Sequence, residues 1–293
     1  MHGWIILDKP LGLSSAQGVA AIKRLGREAG WPKLKIGHGG TLDPLATGVL
    51  PIALGEATKL TGRLLDATKG YRFTVAFGEA TATDDAEGAV IATSDERPTR
   101  AGIEAALPAF TGPIVQTPPA YSALKIDGQR AYALARAGEA VELAPREVTI
   151  HSLALLEADE SSATLDVICS KGTYIRSLAR DLAKALGTVG HVSMLRRTRA
   201  GPFGENQAIS LDKLTALGQS RALEQALLPL TAGLDDIPVL PVEPGQAAML
   251  RQGRLLAGRP DKHGLHLATA GSVPVALVEV SADGVRVVRG FNV

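Results

Sequence analysis

The chain has 293 residues, 45% of them hydrophobic, and a net charge of +1, material for one large core plus a small accessory domain. No apolar run approaches the length needed to cross a bilayer, and a single cysteine, Cys169, leaves no intrachain disulfide possible. The six histidines, His2, His38, His151, His191, His263 and His266, form no HExxH, and neither GxxxxGK[ST] nor a helix-opening GxGxxG occurs, so no metal and no cofactor are expected.

Met1-His2-Gly3-Trp4 leads straight into an apolar run over 4–7 that predicts a strand, with no basic leader or cleavage site before it, and a cytoplasmic location is therefore expected. Ser14 or Ser15 is placed to cap a helix carrying Val19, Ile22 and Leu25. A glycine-rich segment over 37–48 follows, then a second amphipathic stretch with Ala57, Leu60, Leu64 and Leu65. On this reading the glycine-rich segment is a loop between two helices.

That loop, Gly37-His38-Gly39-Gly40-Thr41-Leu42-Asp43-Pro44-Leu45-Ala46-Thr47-Gly48, sets one carboxylate among four glycines. Pro44 pushes Asp43 toward extended geometry, and the glycines allow close approach of a ligand. The plain alternative is that Asp43 caps a helix whose first position is Pro44. Such a cap requires neither the four glycines nor His38 five residues upstream.

Residues 71–77 alternate, with Tyr71, Phe73, Val75 and Phe77 on one face of a strand. The stretch 84–100 is polar and turn-rich, and 99–110 predicts a short helix burying Ile103, Ala106 and Leu107. Residues 116–143 hold Pro118-Pro119, Lys125, Gln129-Arg130 and Arg136, the composition of a surface arm, although charged stretches are commonly ordinary solvated faces. Within 166–187 a strand, a Ser-Lys-Gly turn and a helix follow. Cys169 reads as a buried strand residue, not a nucleophile. The helix spaces Ile175, Leu178, Leu182 and Leu186 for burial, sets Arg176, Arg180 and Lys184 four apart on another face, and puts Tyr174 and Arg176 in its first turn. Arg180 is expected on an exposed face. Past 234 the texture changes to a proline-marked run, a short helix over 245–251 and alternating segments over 265–268, 275–280 and 285–288, which predict a small β-rich domain. The division expected is 1–236 and 237–293.

GHGGTLDPLATGVLPIALGEATK closely resembles the signature of the TruB-type tRNA pseudouridine synthases, whose aspartate lies in a GHxGxLDP context. LDKPLGLSS, KGYRFTVAFG, PPAYSALKIDGQRAY, CSKGTYIRSLARDL and HVSMLRRTRAGPF resemble the family's other blocks, in order, from about Gly3 to Phe203. One departure is Gly39, where threonine is frequent in the family. The resemblance implies an α+β fold, with a mixed, largely antiparallel sheet flanked by helices, plus a C-terminal PUA-like module. It implies isomerisation of uridine 55 in the tRNA T-loop with Asp43 catalytic, an RNA-gripping insertion near 116–143, and contacts to the T-arm and the acceptor stem. No membrane and no obligatory protein partner are implied. By the same carry-over Arg176 pairs with Asp43, Tyr71 stacks on the target base, Tyr174 and Leu195 complete the pocket, and His38 fills the space the flipped uridine leaves. Lys9, in LDKP, supports the loop or contacts phosphate. The alternatives are a guide-RNA-dependent relative, which the lack of long basic tails disfavours, and a tRNA-folding chaperone with secondary catalysis.

Such an isomerisation breaks a glycosidic bond and needs a carboxylate, acting as nucleophile or as base, but no redox partner. Burial alone would favour the protonated acid, so a cation must face Asp43. Arg176 suits that task because its guanidinium stays charged and can pair bidentately.

Overall fold

The computed structural model describes every residue except 123, 124, 127, 128, 131, 133–142 and 258–261. Seven long strands make the body: β1 (Gly3–Lys9), β2 (Ala46–Leu54), β3 (Lys69–Phe77), β4 (Gly112–Gln116), β5 (Arg146–Ala158), β6 (Ser162–Cys169) and β7 (Gly190–Ala200). From one edge the order is Ile209–Ser210, β1, β2, β7, β3, β6, β5, β4. Neighbours run antiparallel except Ile209–Ser210 with β1 and β7 with β2, so the sheet is mixed and largely antiparallel.

β1 is buried on both faces, and its alternate residues feed two cores. Ile5 and Leu7 pack with Leu50, Ile52, Ile22, Leu25, Leu178 and Leu182, joining the sheet to α1 (Ser15–Glu28) and the helix Ile175–Ala185. Trp4 and Ile6 face the other way, toward Phe203, Leu230 and Phe291. Ser14 caps α1 in a reciprocal pair with Gln17. The other α-helices among the described residues are α2 (Thr61–Asp66), α3 (Arg100–Ala106), α4 (Ile175–Ala185), α5 (Leu211–Gln219) and α6 (Pro244–Arg251). Among the described residues no helix is long and apolar enough to cross a membrane.

The glycine-rich segment does not lie between helices. It joins the short strand Ile36–His38 to β2, and the two pair antiparallel, with Gly37 opposite Ala53. Asp43-Pro44 opens no helix: Ala46 N–H donates to the Asp43 carbonyl at 3.0 Å and the chain enters β2. β2 was hidden because a central strand buried on both faces shows no alternation.

After residue 236 the chain forms β8 (Val239–Pro241), β9 (Gly264–Ala270), β10 (Val273–Ser281) and β11 (Gly284–Gly290), a separate sheet in that order, with α6 packed on it. The fold is α+β with a small β-rich terminal unit, and Leu267, Leu277 and Phe291 of that unit belong to the Trp4 core. Most of the basic stretch expected over 116–143, Arg136 included, lies outside the described residues; Lys125–Ile126 pairs antiparallel with Gln129–Arg130.

Candidate active site

The Asp43 loop is fastened on three sides. Ser15 Oγ accepts from Leu42 N–H at 2.8 Å and donates to its carbonyl at 3.0 Å. Lys9 is fully buried, and its Nζ donates to the carbonyls of Pro10 (3.0 Å), Leu13 (2.6 Å) and Pro44 (3.3 Å). Arg197, also buried, donates to the carbonyls of Val49 (2.7 Å), Thr41 (3.2 Å) and Gly40 (3.1 Å). Gly48, at φ +97° near the start of β2, lies opposite Arg197 of β7, where a Cβ would meet the Arg197 carbonyl at 2.3 Å. At Gly39 a Cβ would meet Leu64 Cδ1 at 2.5 Å, so a larger residue there would require the Leu64 side chain to move.

Asp43 meets Arg176 Nη2 at 3.0 Å, and the Arg176 side chain is 6% exposed against 42% for Asp43. Arg176 enters on the first turn of α4, with Tyr174 at the N-cap. Its other nitrogen lies 3.2 Å from Asp85, and the guanidinium also donates to the carbonyls of Thr83 (3.0 Å) and Tyr121 (2.9 Å). Asp43, Tyr71, Tyr174, Arg176 and Leu195 line one pocket of about 190 Å³, with Thr41, Leu42, Ala46, Thr173 and Ile175 completing its walls. Leu195 arrives on β7, whose Leu195 pairs with Ala46 of β2 and Phe73 of β3. Tyr71 enters at the start of β3. A larger cleft of about 560 Å³, between α2, Arg199–Pro202 and residues 233–236, contains none of these groups.

Two expected site residues stand outside that pocket's walls. Lys9 lies beneath the loop with its ammonium turned to three carbonyls, an arrangement that supports the loop. His38 ends its short strand with Nδ1 buried and without a hydrogen-bond partner; burial and the Arg197 charge lower its pKa, leaving the ring neutral near pH 7. Burial also lowers Lys9 and Lys69 to about 8, with the Arg197 charge pushing both the same way. Burial raises the Tyr71 hydroxyl and outweighs the Arg197 charge and hydrogen bond, which pull it down, so it stays a neutral phenol. Burial raises the Cys169 thiol to about 11, so it is no nucleophile at neutral pH.

The sequence reading missed Asp85 and Arg197. Asp85 sits in a run of turn residues that looks like solvated surface, yet it is 3% exposed. The second arginine of Arg196-Arg197 faces inward, and alternation of a polar strand gave no sign of it. Arg180, expected to be exposed, is instead largely covered, bonding to Asp84 (2.8 Å), Asp181 (2.9 Å) and the Thr117 carbonyl (3.0 Å).

The mixed sheet that carries this pocket has counterparts among proteins of known structure. The chain is similar over 99% of its length to a protein of an H/ACA RNP bound to a substrate RNA containing 2'-deoxyuridine (TM-score 0.75, 26% identity, 85% of that chain). It is equally similar to one from a Cbf5-Nop10-Gar1 complex (TM-score 0.75, 28% identity, 99% of this chain and 85% of that one). Residues 27–175 match the TruB family pseudouridylate synthase N-terminal domain, and residues 176–235 the tRNA pseudouridylate synthase B C-terminal domain. The tRNA pseudouridine synthase B of Novosphingobium aromaticivorans is 63% identical over the whole chain and 98% of its own length; that of Zymomonas mobilis is 57% identical, over 100% and 96%. The chain belongs to the TruB family of pseudouridylate synthases.

Proposed function

We propose that this chain converts uridine 55 in the T-loop of tRNA to pseudouridine, with Asp43 as the one catalytic carboxylate and the target base flipped into the pocket beside it. The observation that carries the reading is the Asp43–Arg176 contact at 3.0 Å inside a pocket walled by Tyr71, Tyr174 and Leu195. The reaction breaks the N1–C1' bond and forms C5–C1'; C5 loses its proton and N1 gains one, so nothing is oxidised or reduced. Asp43 either adds covalently or removes a sugar proton, and each role requires the ionised carboxylate that Arg176 favours.

Tyr71 offers a ring for stacking on an extruded uracil, the way single-stranded RNA bases are commonly held. His38, neutral and adjacent to the loop, fills the gap left in the RNA and offsets part of the cost of flipping. The terminal β-rich unit acts as a PUA-like module on the acceptor stem, and the protein works in the cytoplasm without an obligatory protein partner. Full-length likeness to bacterial proteins named tRNA pseudouridine synthase B supports a stand-alone enzyme over a guide-dependent one. Pseudouridine mapped in tRNA from cells lacking this chain tests the reading: loss confined to position 55, restored by the unaltered chain, is expected, and a retained modification there overturns it.

A further inference from the structure

Gln116 and Arg146 are partners across β4 and β5, and they are the last residue of one strand and the first of the other. Segment 117–145 therefore leaves and rejoins the sheet at this pair. Both side chains reach over to the turn between β6 and α4. Gln116 grips the backbone of Tyr174 twice, accepting from its N–H at 2.7 Å and donating to its carbonyl at 3.0 Å. The Arg146 guanidinium lies over the Tyr174 ring, 4.7 Å from its centroid, and donates through Nη2 to the Gly172 carbonyl. Its Nε is buried with no hydrogen-bond partner, so its position is set by the ring and by Gly172. Gly172 itself sits at φ +80°, where a Cβ would come within 3.5 Å of that guanidinium. The first root of the segment also touches α4 directly: the Thr117 carbonyl accepts from Ser177 Oγ at 2.8 Å, and the Tyr121 carbonyl accepts from Arg176.

We infer that Gln116 and Arg146 are positioning residues for pseudouridylation: as one cross-strand clamp they fix the height and tilt of the Tyr174 wall, without touching the RNA base themselves. A ring held only by a helix N-cap could pivot with the turn. Two backbone bonds and a cation over one ring face remove that freedom. The clamp stands at both roots of segment 117–145. The inference rests on the pocket reading above, in which Tyr174 borders the substrate base.

The test compares single-turnover pseudouridine formation on a T-arm hairpin, at saturating enzyme and well below the melting temperature, with the hairpin Kd. Arg146→Ala and Gln116→Ala should each slow the chemical step by about ten- to a hundredfold, the scale on which small misplacements act, with the Kd near that of the unaltered chain. Arg146→Lys should not restore the rate, because a point charge cannot replace the planar stack. In a Tyr174→Leu background, Arg146→Ala should slow the step little further. Full rescue by lysine, a Kd loss as large as the rate loss, or additive effects with Tyr174→Leu would each overturn the inference, the first two in favour of a direct phosphate contact. If the unaltered chain makes product and Arg146→Ala matches it, this inference alone fails. If the unaltered chain makes none, the functional reading fails too.

Discussion

Arg176 and Asp85 form a buried ion pair at 3.2 Å, their side chains 6% and 4% exposed, and the same guanidinium reaches Asp43 on its solvent side. One cation thus faces two carboxylates in different settings. Asp85 also accepts from Glu87 N–H at 3.0 Å and from the Thr83 hydroxyl at 2.5 Å, so it is fixed. Asp43 is half-exposed and opens onto the pocket, so it is the one placed to react.

Removing Asp85 should therefore damage both folding and rate. Asp85→Ala leaves Arg176 buried with its anchor gone, and breaking a buried pair from one side costs about 3–5 kcal/mol. Asp85→Asn keeps an acceptor for Glu87 and Thr83 but drops the charge and sets an amide NH2 against the Arg176 guanidinium, so it should lose stability in urea as well and turn over more slowly. Urea unfolding and single-turnover rates of the two variants check this; an Asp85→Asn enzyme of full activity would show that the buried carboxylate has no part in orienting Arg176.

Asp43→Asn should abolish product formation while tRNA affinity changes little, because phosphate contacts supply most of the binding. The fold should survive, since Arg176 keeps Asp85 and both carbonyl partners. Product assays and filter binding on the same preparation decide the matter, and substantial residual turnover would remove Asp43 from the chemistry.

Arg176→Ala should cost far more activity than Arg180→Ala. Arg180 ties Asp84 to the Thr117 carbonyl and Asp181 without reaching the pocket. Its loss should lower the melting temperature and leave turnover at a permissive temperature largely intact. Comparable losses of turnover would mean that the Asp84 loop, and not the Arg176 charge, governs the rate.

The sequence blocks carried most of the pocket, because the residues that face it are spaced along segments whose family pattern is specific: Asp43, Tyr71, Tyr174, Arg176 and Leu195 come together from four separate stretches. Periodicity gave the ends of the fold well, including α1, whose cap was left between Ser14 and Ser15 and is Ser14, and the terminal alternating strands. It failed at β2, where burial on both faces erased the alternation. It also failed for groups whose role exists only in three dimensions. Asp85 and Arg197 are buried by what packs over them, and the Gln116–Arg146 pairing depends on strand register, which no local pattern encodes.

Lys9 gives a pH signature with a defined sign. Its pKa falls from 10.5 in the unfolded chain to about 8 on folding, because burial disfavours the ammonium. Between about pH 8 and 10.5 the unfolded chain therefore binds more protons at this group, and its contribution to stability rises with pH; below 8 it is flat. Denaturation of the unaltered chain and of Lys9→Met, compared from pH 7 to 10, should give a stability difference that climbs above pH 8 in favour of the unaltered chain. A difference that stays level would mean that the three carbonyls hold the ammonium charged throughout.

The terminal unit is joined to the catalytic body by more than a linker, and this sets what truncation can be expected to do. Phe291 is 1% exposed and packs in the core that holds Trp4 and Phe203, whose rings lie 5.3 Å apart. Lys59 donates to the Gly290 carbonyl at 2.8 Å, and Glu56 accepts from Asn292 N–H at 2.8 Å. Phe291→Ala should thus destabilise the whole chain by about 3–5 kcal/mol, the usual range for emptying a phenylalanine site. Deleting residues 238–293 should lower the melting temperature further. All proposed pocket residues lie before residue 196, so hairpin turnover by the truncated chain should persist below that lowered melting temperature. Affinity for full-length tRNA should weaken, with little change in its salt dependence, since the deleted segment holds six Lys plus Arg against four Asp plus Glu. Melting curves read beside hairpin turnover make the measurement. A truncated chain that is folded yet inactive on the hairpin would place the terminal unit within the catalytic architecture, while an unchanged melting temperature in Phe291→Ala would show that the two units share no core.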